Sequence, residues 1–204
     1  MNVEVFADIW CPFAHVGLRA VADERDRRGR DDVVVWVRAW PLELVNGAPM
    51  DGHHAAERGR ALREQVAPDQ FAEVDPENFP SSTLPALALV SRAYEADPQL
   101  GERATFLVRD ALFEHGQDIA DPMVLQLLAD ELGVGLPDEA DHARVLADYA
   151  EGQRRSVKGS PHFFGPDGDV FCPALQISRD EQDAFVIVAD RQRLTEFVDR
   201  CFTA

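Results

Sequence analysis

The stretch FADIWCPFAHVG, residues 6–17, places a single cysteine, Cys11, between an apolar run and a helix-like pattern. Ala14 stands three residues later, where a second cysteine would complete a Cys-x-x-Cys redox pair. The stretch therefore leaves three alternatives open: half of a redox motif, a different thiol chemistry, or a buried structural cysteine.

The residues on either side of Cys11 predict a β-α-β unit. Residues 3–9, VEVFADI, and residues 32–40, DVVVWVRAW, have the β-branched and aromatic composition of strands. Between them, Pro12 stands at a first helical turn, apolar residues recur at spacings of three and four, and Gly29 follows the last turn. This segment is predicted to be an amphipathic helix.

The rest of the chain completes the predicted fold. Residues 81–155 predict only helices, the segment PHFFGPDGDVFC at 161–172 predicts a β-hairpin, and residues 190–202 predict a closing helix. The order β-α-β, helical block, β-β-α is that of an α/β thioredoxin-like fold with a large helical insertion. We therefore predict a discontinuous thioredoxin-like domain, residues 1–80 and 156–204, which carries an inserted helical domain, residues 81–155.

Composition argues against several functions. The 204 residues include 37 acidic and 20 basic ones, a formal net charge of -17, so the protein repels polyphosphates and nucleic acid is not an expected partner. The sequence contains no apolar run of about 18 residues and no basic, apolar leader, so we expect no membrane partner and a cytoplasmic location. Cysteines at positions 11, 172 and 201 are too few and too far apart for a disulfide framework or a zinc site, and no metal is expected.

Cys11 falls where the first predicted strand meets the first predicted helix. Unpaired N–H groups and the positive end of the helix dipole stabilise a negative sulfur there, and Pro12 fixes the first turn without wasting a donor. We therefore expect a lowered pKa for the Cys11 thiol and a nucleophilic thiolate that needs no metal.

Three separated motifs resemble one family. The segment CPFAHVGL, residues 11–18, resembles the CPWCYIG type of active-site turn of the DsbA-like, FrnE-type oxidoreductases of the thioredoxin superfamily. The segment LFEHGQDIADPMVLQLLADELG, residues 112–133, is close to a helical signature of that family, and SVKGSPHFF, residues 156–164, is similar to its GVxGVPTF segment. The three motifs occur in the family's order, and the resemblance covers nearly the whole chain.

The resemblance implies a site. Pro161 would follow a cis peptide bond and face the active-site turn, and backbone groups of Ser160 would pair with an extended peptide or a small thiol. The side chains of Pro12, Phe13 and Ala14 would line the approach to the cysteine. The leading hypothesis is a thiol-disulfide oxidoreductase that works through Cys11 and mixed disulfides, because Ala14 replaces the resolving cysteine.

The same family contains 2-hydroxychromene-2-carboxylate isomerases and kappa-class glutathione transferases, in which a serine replaces the first cysteine and steadies a bound glutathione thiolate. A transferase or isomerase of this type, which uses a thiol cofactor on a small organic substrate, is therefore the second hypothesis. A catalytically silent binding module is the third. No tightly bound cofactor is expected; glutathione or mycothiol would serve as co-substrate beside a disulfide-bearing protein or a small thiol. Dimers are common among the relatives, so a homodimer is also an expectation.

Two further residues are accessory candidates. His15 would donate to the thiolate, with a solvent-facing or partly buried position as the alternative. Cys172 ends the predicted hairpin and would act as a resolving thiol, with simple packing as the alternative. Cys201 lies on the apolar face of the last predicted helix and is expected in the core.

Overall fold

The computed structural model describes residues 2–202, in which two sheets and eight helices are present. Met1, Thr203 and Ala204, which the predicted domain boundaries include, lie outside the described residues. The four-stranded sheet consists of β1 Asn2–Ala7, β2 Val34–Ala39, β3 His162–Gly165 and β4 Gly168–Phe171. Its strand order is β2-β1-β3-β4, with β1 parallel to β2 and antiparallel to β3.

The first strand is central in this sheet, and α1 (Pro12–Arg27) crosses over from it to β2. Val3, Val5, Phe6 and Ala7 are all almost fully buried, which places protein on both faces of β1. A strand with both faces covered is rich in apolar residues, as VEVFA is here apart from Glu4. The strand therefore ends inside the protein, and the residues that follow it begin α1 at a buried position.

The helical insertion is formed by α4 Leu84–Ala96, α5 Pro98–Phe113, α6 Pro122–Leu132 and α7 Glu139–Arg154. Asp97, Asp121 and Asp138 precede α5, α6 and α7, and each side chain accepts hydrogen bonds from the first backbone N–H groups of its helix. The predicted helical character of this segment is therefore explained by local capping. Its division from the rest of the chain as a separate domain stays a prediction.

Side chains of the insertion cover the free edge of β2. The backbone N–H of Val35 donates to Glu102 at 2.7 Å, and that of Val37 donates to the Tyr94 hydroxyl at 3.0 Å. The Asp148 carboxylate accepts the N–H of the last residue of β2 at 3.1 Å. An exposed edge strand offers such groups to other chains, so α4, α5 and α7 together close this edge.

The remaining elements are α2 Leu42–Asn46, α3 Gly52–Gln65, β5 Leu175–Arg179, β6 Phe185–Ala189 and α8 Arg191–Phe202. The order predicted from sequence lacks β5 and β6, which form a separate antiparallel pair. A two-stranded sheet is marginal by itself, and this one depends on α3, because the Gln65 side chain bonds to the Phe185 carbonyl and the Ile187 N–H. Within residues 2–202, no helix has the length and apolar character required to cross a membrane.

Candidate active site

Cys11 is the N-cap residue of α1, and 4% of it is exposed. Its carbonyl accepts the N–H groups of Ala14 and His15, each at 3.1 Å, so the residue begins the helix. The Cys11 thiol donates to the Ser160 carbonyl at 3.0 Å, across 149 positions of sequence. The predicted nucleophile therefore lies at the N-terminus of α1 and contacts the segment before β3.

That segment brings the predicted proline to the cysteine. The peptide bond between Ser160 and Pro161 is cis. The Ser160 hydroxyl accepts the backbone N–H of Asp8 at 2.9 Å, which ties the segment to the end of β1. A Cβ atom added to Gly17 would lie 3.4 Å from Cγ of Pro161, so the proline packs directly on α1. The structure thus brings Cys11, Ser160 and Pro161 together.

The three residues predicted to line the approach differ in exposure. Pro12 is the buried first residue of α1, and Ala14 is fully buried. Phe13 is half-buried, and its ring centroid lies 6.3 Å from that of Phe185 in β6. Of these three residues, only Phe13 is therefore partly exposed. Its contact with Phe185 brings the β5–β6 hairpin, which the sequence did not predict, close to the first turn of α1.

The expected lowering of the Cys11 pKa is wrong. Burial raises the pKa of the Cys11 thiol above its ordinary value, against the Ser160 side chain and the positive charge of Arg109, which both lower it. The negative charge of Asp8 raises the pKa further. The dipole of α1 favours a thiolate, whereas removal of the sulfur from water favours the neutral thiol.

His15 occupies neither of its predicted positions. It is fully buried, between the rings of Phe71 and Phe113, and its Nε2 atom lies 2.9 Å from Glu114. Burial lowers the pKa of His15, and Glu114 opposes this effect. Its interaction with Glu114 therefore joins α1 to the insertion helix α5.

One group of residues has the spacing of metal ligands. Three potential ligand atoms, one from each of His15, Asp110 and Glu114, lie within 4.8 Å of one another. Arg19 already forms an ion pair with Asp110, and His15 is paired with Glu114. Because an arginine at this place repels a cation, we assign no metal to the group, and the absence of a metal site stays a prediction.

The other two cysteines are buried, with 3% of Cys172 and 2% of Cys201 exposed. The backbone N–H of Cys172 donates to the Pro161 carbonyl at 3.0 Å, so this cysteine lies next to the cis-proline. Burial raises the pKa of Cys172 to about 12. A raised pKa makes the Cys172 thiolate rare at neutral pH, which favours packing over a resolving role.

Two charged residues near Cys11 were missed by the sequence analysis. Asp8 is fully buried after β1, and its carboxylate accepts the N–H groups of Trp10, at 3.4 Å, and of Leu42. Arg109 of α5 is 1% exposed, and its Nη1 donates to the Asp8 carbonyl at 2.9 Å. Burial raises the pKa of Asp8 to about 6 and lowers that of Arg109 to about 10. The sequence signal was an arginine within the apolar face of a helix.

We expect Asp8 to make the protein less stable as the pH rises. Because burial raises its pKa from 3.8 to about 6 in the folded state, its contribution is complete below the unfolded value and is lost as the pH rises through the folded value. A shift of about two units corresponds to about 3 kcal/mol. The free energy of unfolding of the wild type, measured relative to Asp8→Asn by urea denaturation, should fall by that amount between about pH 4 and pH 7. A difference that is constant with pH would contradict this expectation.

A cysteine at a helix N-terminus beside a cis-proline, in a β-α-β and β-β-α frame, defines the class of thioredoxin-like thiol proteins. The chain belongs to the DSBA-like thioredoxin domain family, which matches residues 2–182. Members of this family act on thiol or disulfide substrates. No curated protein matches the chain significantly.

Solved structures of known proteins share the fold. A 2-hydroxychromene-2-carboxylate isomerase has a TM-score of 0.63 and 15% identity, covering 84% of this chain and 88% of its own. The cytosolic disulfide reductase DsbM from Pseudomonas aeruginosa with GSH has a TM-score of 0.61 and 17% identity, covering 100% and 97%. A probable DsbA oxidoreductase from Streptomyces coelicolor has a TM-score of 0.63 and 22% identity, covering 80% and 79%. A disulfide reductase, a probable oxidoreductase and an isomerase therefore adopt this architecture.

Proposed function

We propose that the protein is a thiol-disulfide oxidoreductase that acts through the single nucleophile Cys11 and forms mixed disulfides. The observation that carries the proposal is the position of the Cys11 sulfur, 3.0 Å from the carbonyl of Ser160 and next to the cis-proline Pro161. Ala14 occupies the place of a resolving cysteine, and burial raises the pKa of Cys172, which disfavours its thiolate in that role. An external thiol must therefore complete the reaction.

The proposed reaction has two exchanges. The Cys11 thiolate attacks one sulfur of a disulfide, forms a mixed disulfide with it and releases the other sulfur as a thiolate. A small thiol, glutathione or mycothiol, then attacks the substrate sulfur of this mixed disulfide and releases the Cys11 thiolate. The small thiol and the substrate leave joined by a disulfide, so no electrons are gained or lost by the protein.

The raised pKa of Cys11 shapes this reaction. The fraction of thiolate grows with pH, so the first exchange should accelerate through the neutral and alkaline range. A thiol of high pKa also leaves slowly, so the mixed disulfide on Cys11 should persist. A cytoplasmic location, where small thiols are abundant, is part of this proposal and is supported by the cytosolic DsbM neighbour. Homodimerisation stays a prediction.

The proposal predicts one adduct at one cysteine. After incubation with oxidised glutathione and removal of excess reagent, peptide mass spectrometry should find glutathione on Cys11 in most molecules. Cys201 is equally buried but packs in α8, so it acts as an internal control and should stay unmodified. Added reduced glutathione should remove the adduct. Absence of any adduct on Cys11 would contradict the proposal.

The second candidate is a thiol-dependent transferase or isomerase. The isomerase fold neighbour and the missing second cysteine favour it. A cavity of about 520 Å3 between β2, α4 and α7 does not support it, because neither Cys11 nor Pro161 lines that cavity. Thermal stabilisation by glutathione without a mixed disulfide would favour this candidate, whereas a mixed disulfide favours the oxidoreductase.

A further inference from the structure

Arg109 is a buried cation with few partners. It is 1% exposed, its Nη1 atom donates to the Asp8 carbonyl at 2.9 Å, and its Nε atom has no hydrogen-bond partner among the described residues. A buried charge that is incompletely paired costs several kcal/mol in general. The presence of such a buried charge is explained if the charge acts on a neighbouring functional group.

The Asp8 carbonyl oxygen links Arg109 to the cysteine. The same oxygen accepts the Arg109 guanidinium at 2.9 Å and the backbone N–H of Cys11 at 3.4 Å. The guanidinium is therefore held against the turn from β1 to α1. Through the Asp8 carbonyl it is one hydrogen bond away from the backbone of Cys11, the residue that begins the helix. Arg109 belongs to α5, so the helical insertion supplies this charge to the thioredoxin-like part of the fold.

We propose that Arg109 is a positioning residue whose buried positive charge stabilises the Cys11 thiolate and thereby sets the rate of mixed-disulfide formation. This inference rests on the proposed function. Without such a charge, a sulfur that is almost sealed from water would ionise only at strongly alkaline pH. The insertion then has a chemical role in addition to covering the edge of β2.

The other groups that act on the Cys11 sulfur have opposing effects on its ionisation. Asp8, which follows β1, opposes ionisation, whereas the backbone N–H of Ala14 in α1 and the Ser160 side chain before β3 favour it. Cys172, which follows β4, interacts with Cys11 through the charge of its own thiolate. That thiolate is rare at neutral pH. Arg109 is thus the cation in this set that a substitution can remove.

The test compares two substitutions at position 109 by the rate at which iodoacetamide alkylates Cys11, followed by peptide mass spectrometry. Arg109→Gln keeps an amide donor for the Asp8 carbonyl and removes the charge, whereas Arg109→Lys keeps the charge. At pH 7 the glutamine variant should react about tenfold more slowly, which corresponds to a rise of about one pKa unit. The lysine variant should stay within about threefold of the wild type. Above the pKa of the thiol, the glutamine variant should regain the wild-type rate.

Three outcomes would overturn the inference: a glutamine variant within twofold of the wild type at pH 7, a deficit that persists at high pH, or a tenfold loss in the lysine variant. If the glutamine variant does not fold, the lysine variant decides alone. Arg92→Gln is the matched control, because Arg92 pairs with the buried Asp141 away from Cys11. Failure of glutathione turnover with a normal Arg109 effect on alkylation would reject the proposed function and leave this inference intact.

Discussion

Replacing Cys11 with serine is expected to lower the turnover of glutathione mixed disulfides by at least about a thousandfold, as loss of a covalent nucleophile does elsewhere. A serine hydroxyl cannot form a disulfide, so the first exchange loses its nucleophile. The hydroxyl can still donate to the Ser160 carbonyl, which Cys11 contacts at 3.0 Å. The fold should therefore persist, and the circular dichroism spectrum should be unchanged.

Cys201→Ser is the matched control for this loss. Cys201 is as buried as Cys11 but packs in α8, where a Cβ added to Gly165 would lie 2.9 Å from its sulfur. Its substitution should reduce stability and leave the turnover of folded protein within about twofold. Full activity in the Cys11→Ser variant would contradict the proposed mechanism.

Much of the fold follows from local sequence signals. The apolar run before Cys11 predicts the strand that the structure shows as β1, and Pro12 marks the first residue of α1. Asp121 caps α6 and Gly133 ends it in a left-handed conformation, and both residue types are typical of these helix positions. Such signals act within a few residues, so they can be recognised without knowledge of the tertiary structure.

The hairpin of β5 and β6 carried a weaker signal. Its ladder pairs polar Gln176 and Ser178 with Val188 and Val186 on a solvent-facing side, where all four residues are exposed. That mixture blurs the alternation by which strands are recognised. The pair is held by the Gln65 side chain, 120 residues from Phe185, and such a contact leaves no local trace.

The electrostatics of the site also lay beyond local patterns. Sequence position alone suggests a lowered pKa for Cys11, because a helix N-terminus favours anions. The cost of burial depends on how β1, α5 and the Pro161 segment pack around the sulfur, and that packing reverses the sign. The position of His15 has the same cause, since its partner Glu114 lies 99 residues away in sequence.

Gly101→Ala is expected to destabilise the protein by about 3 kcal/mol or more, which would lower the melting temperature by about 6 to 12 °C. A Cβ atom at this position would lie 2.1 Å from two ring atoms of Tyr94. The Tyr94 hydroxyl donates to the Val35 carbonyl at 2.7 Å and accepts the N–H of Val37 at 3.0 Å, so the ring cannot move away without breaking both bonds. The gain of about 1 kcal/mol from alanine in a helix is too small to offset this.

Gly135→Ala separates the clash with Tyr94 from the general effect of replacing a glycine. A Cβ atom at Gly135 would meet only the Arg92 side chain, 3.6 Å away at its nearest atom, which is ordinary contact. Thermal melts should therefore show the control within about 0.5 kcal/mol of the wild type. Because Tyr94 covers the edge of β2, the Gly101 variant should also aggregate on heating at lower temperature than the control. Equal melting temperatures for the two variants would show that the contact between α4 and α5 adjusts freely. That result would contradict the expectation that Tyr94 cannot move away from position 101.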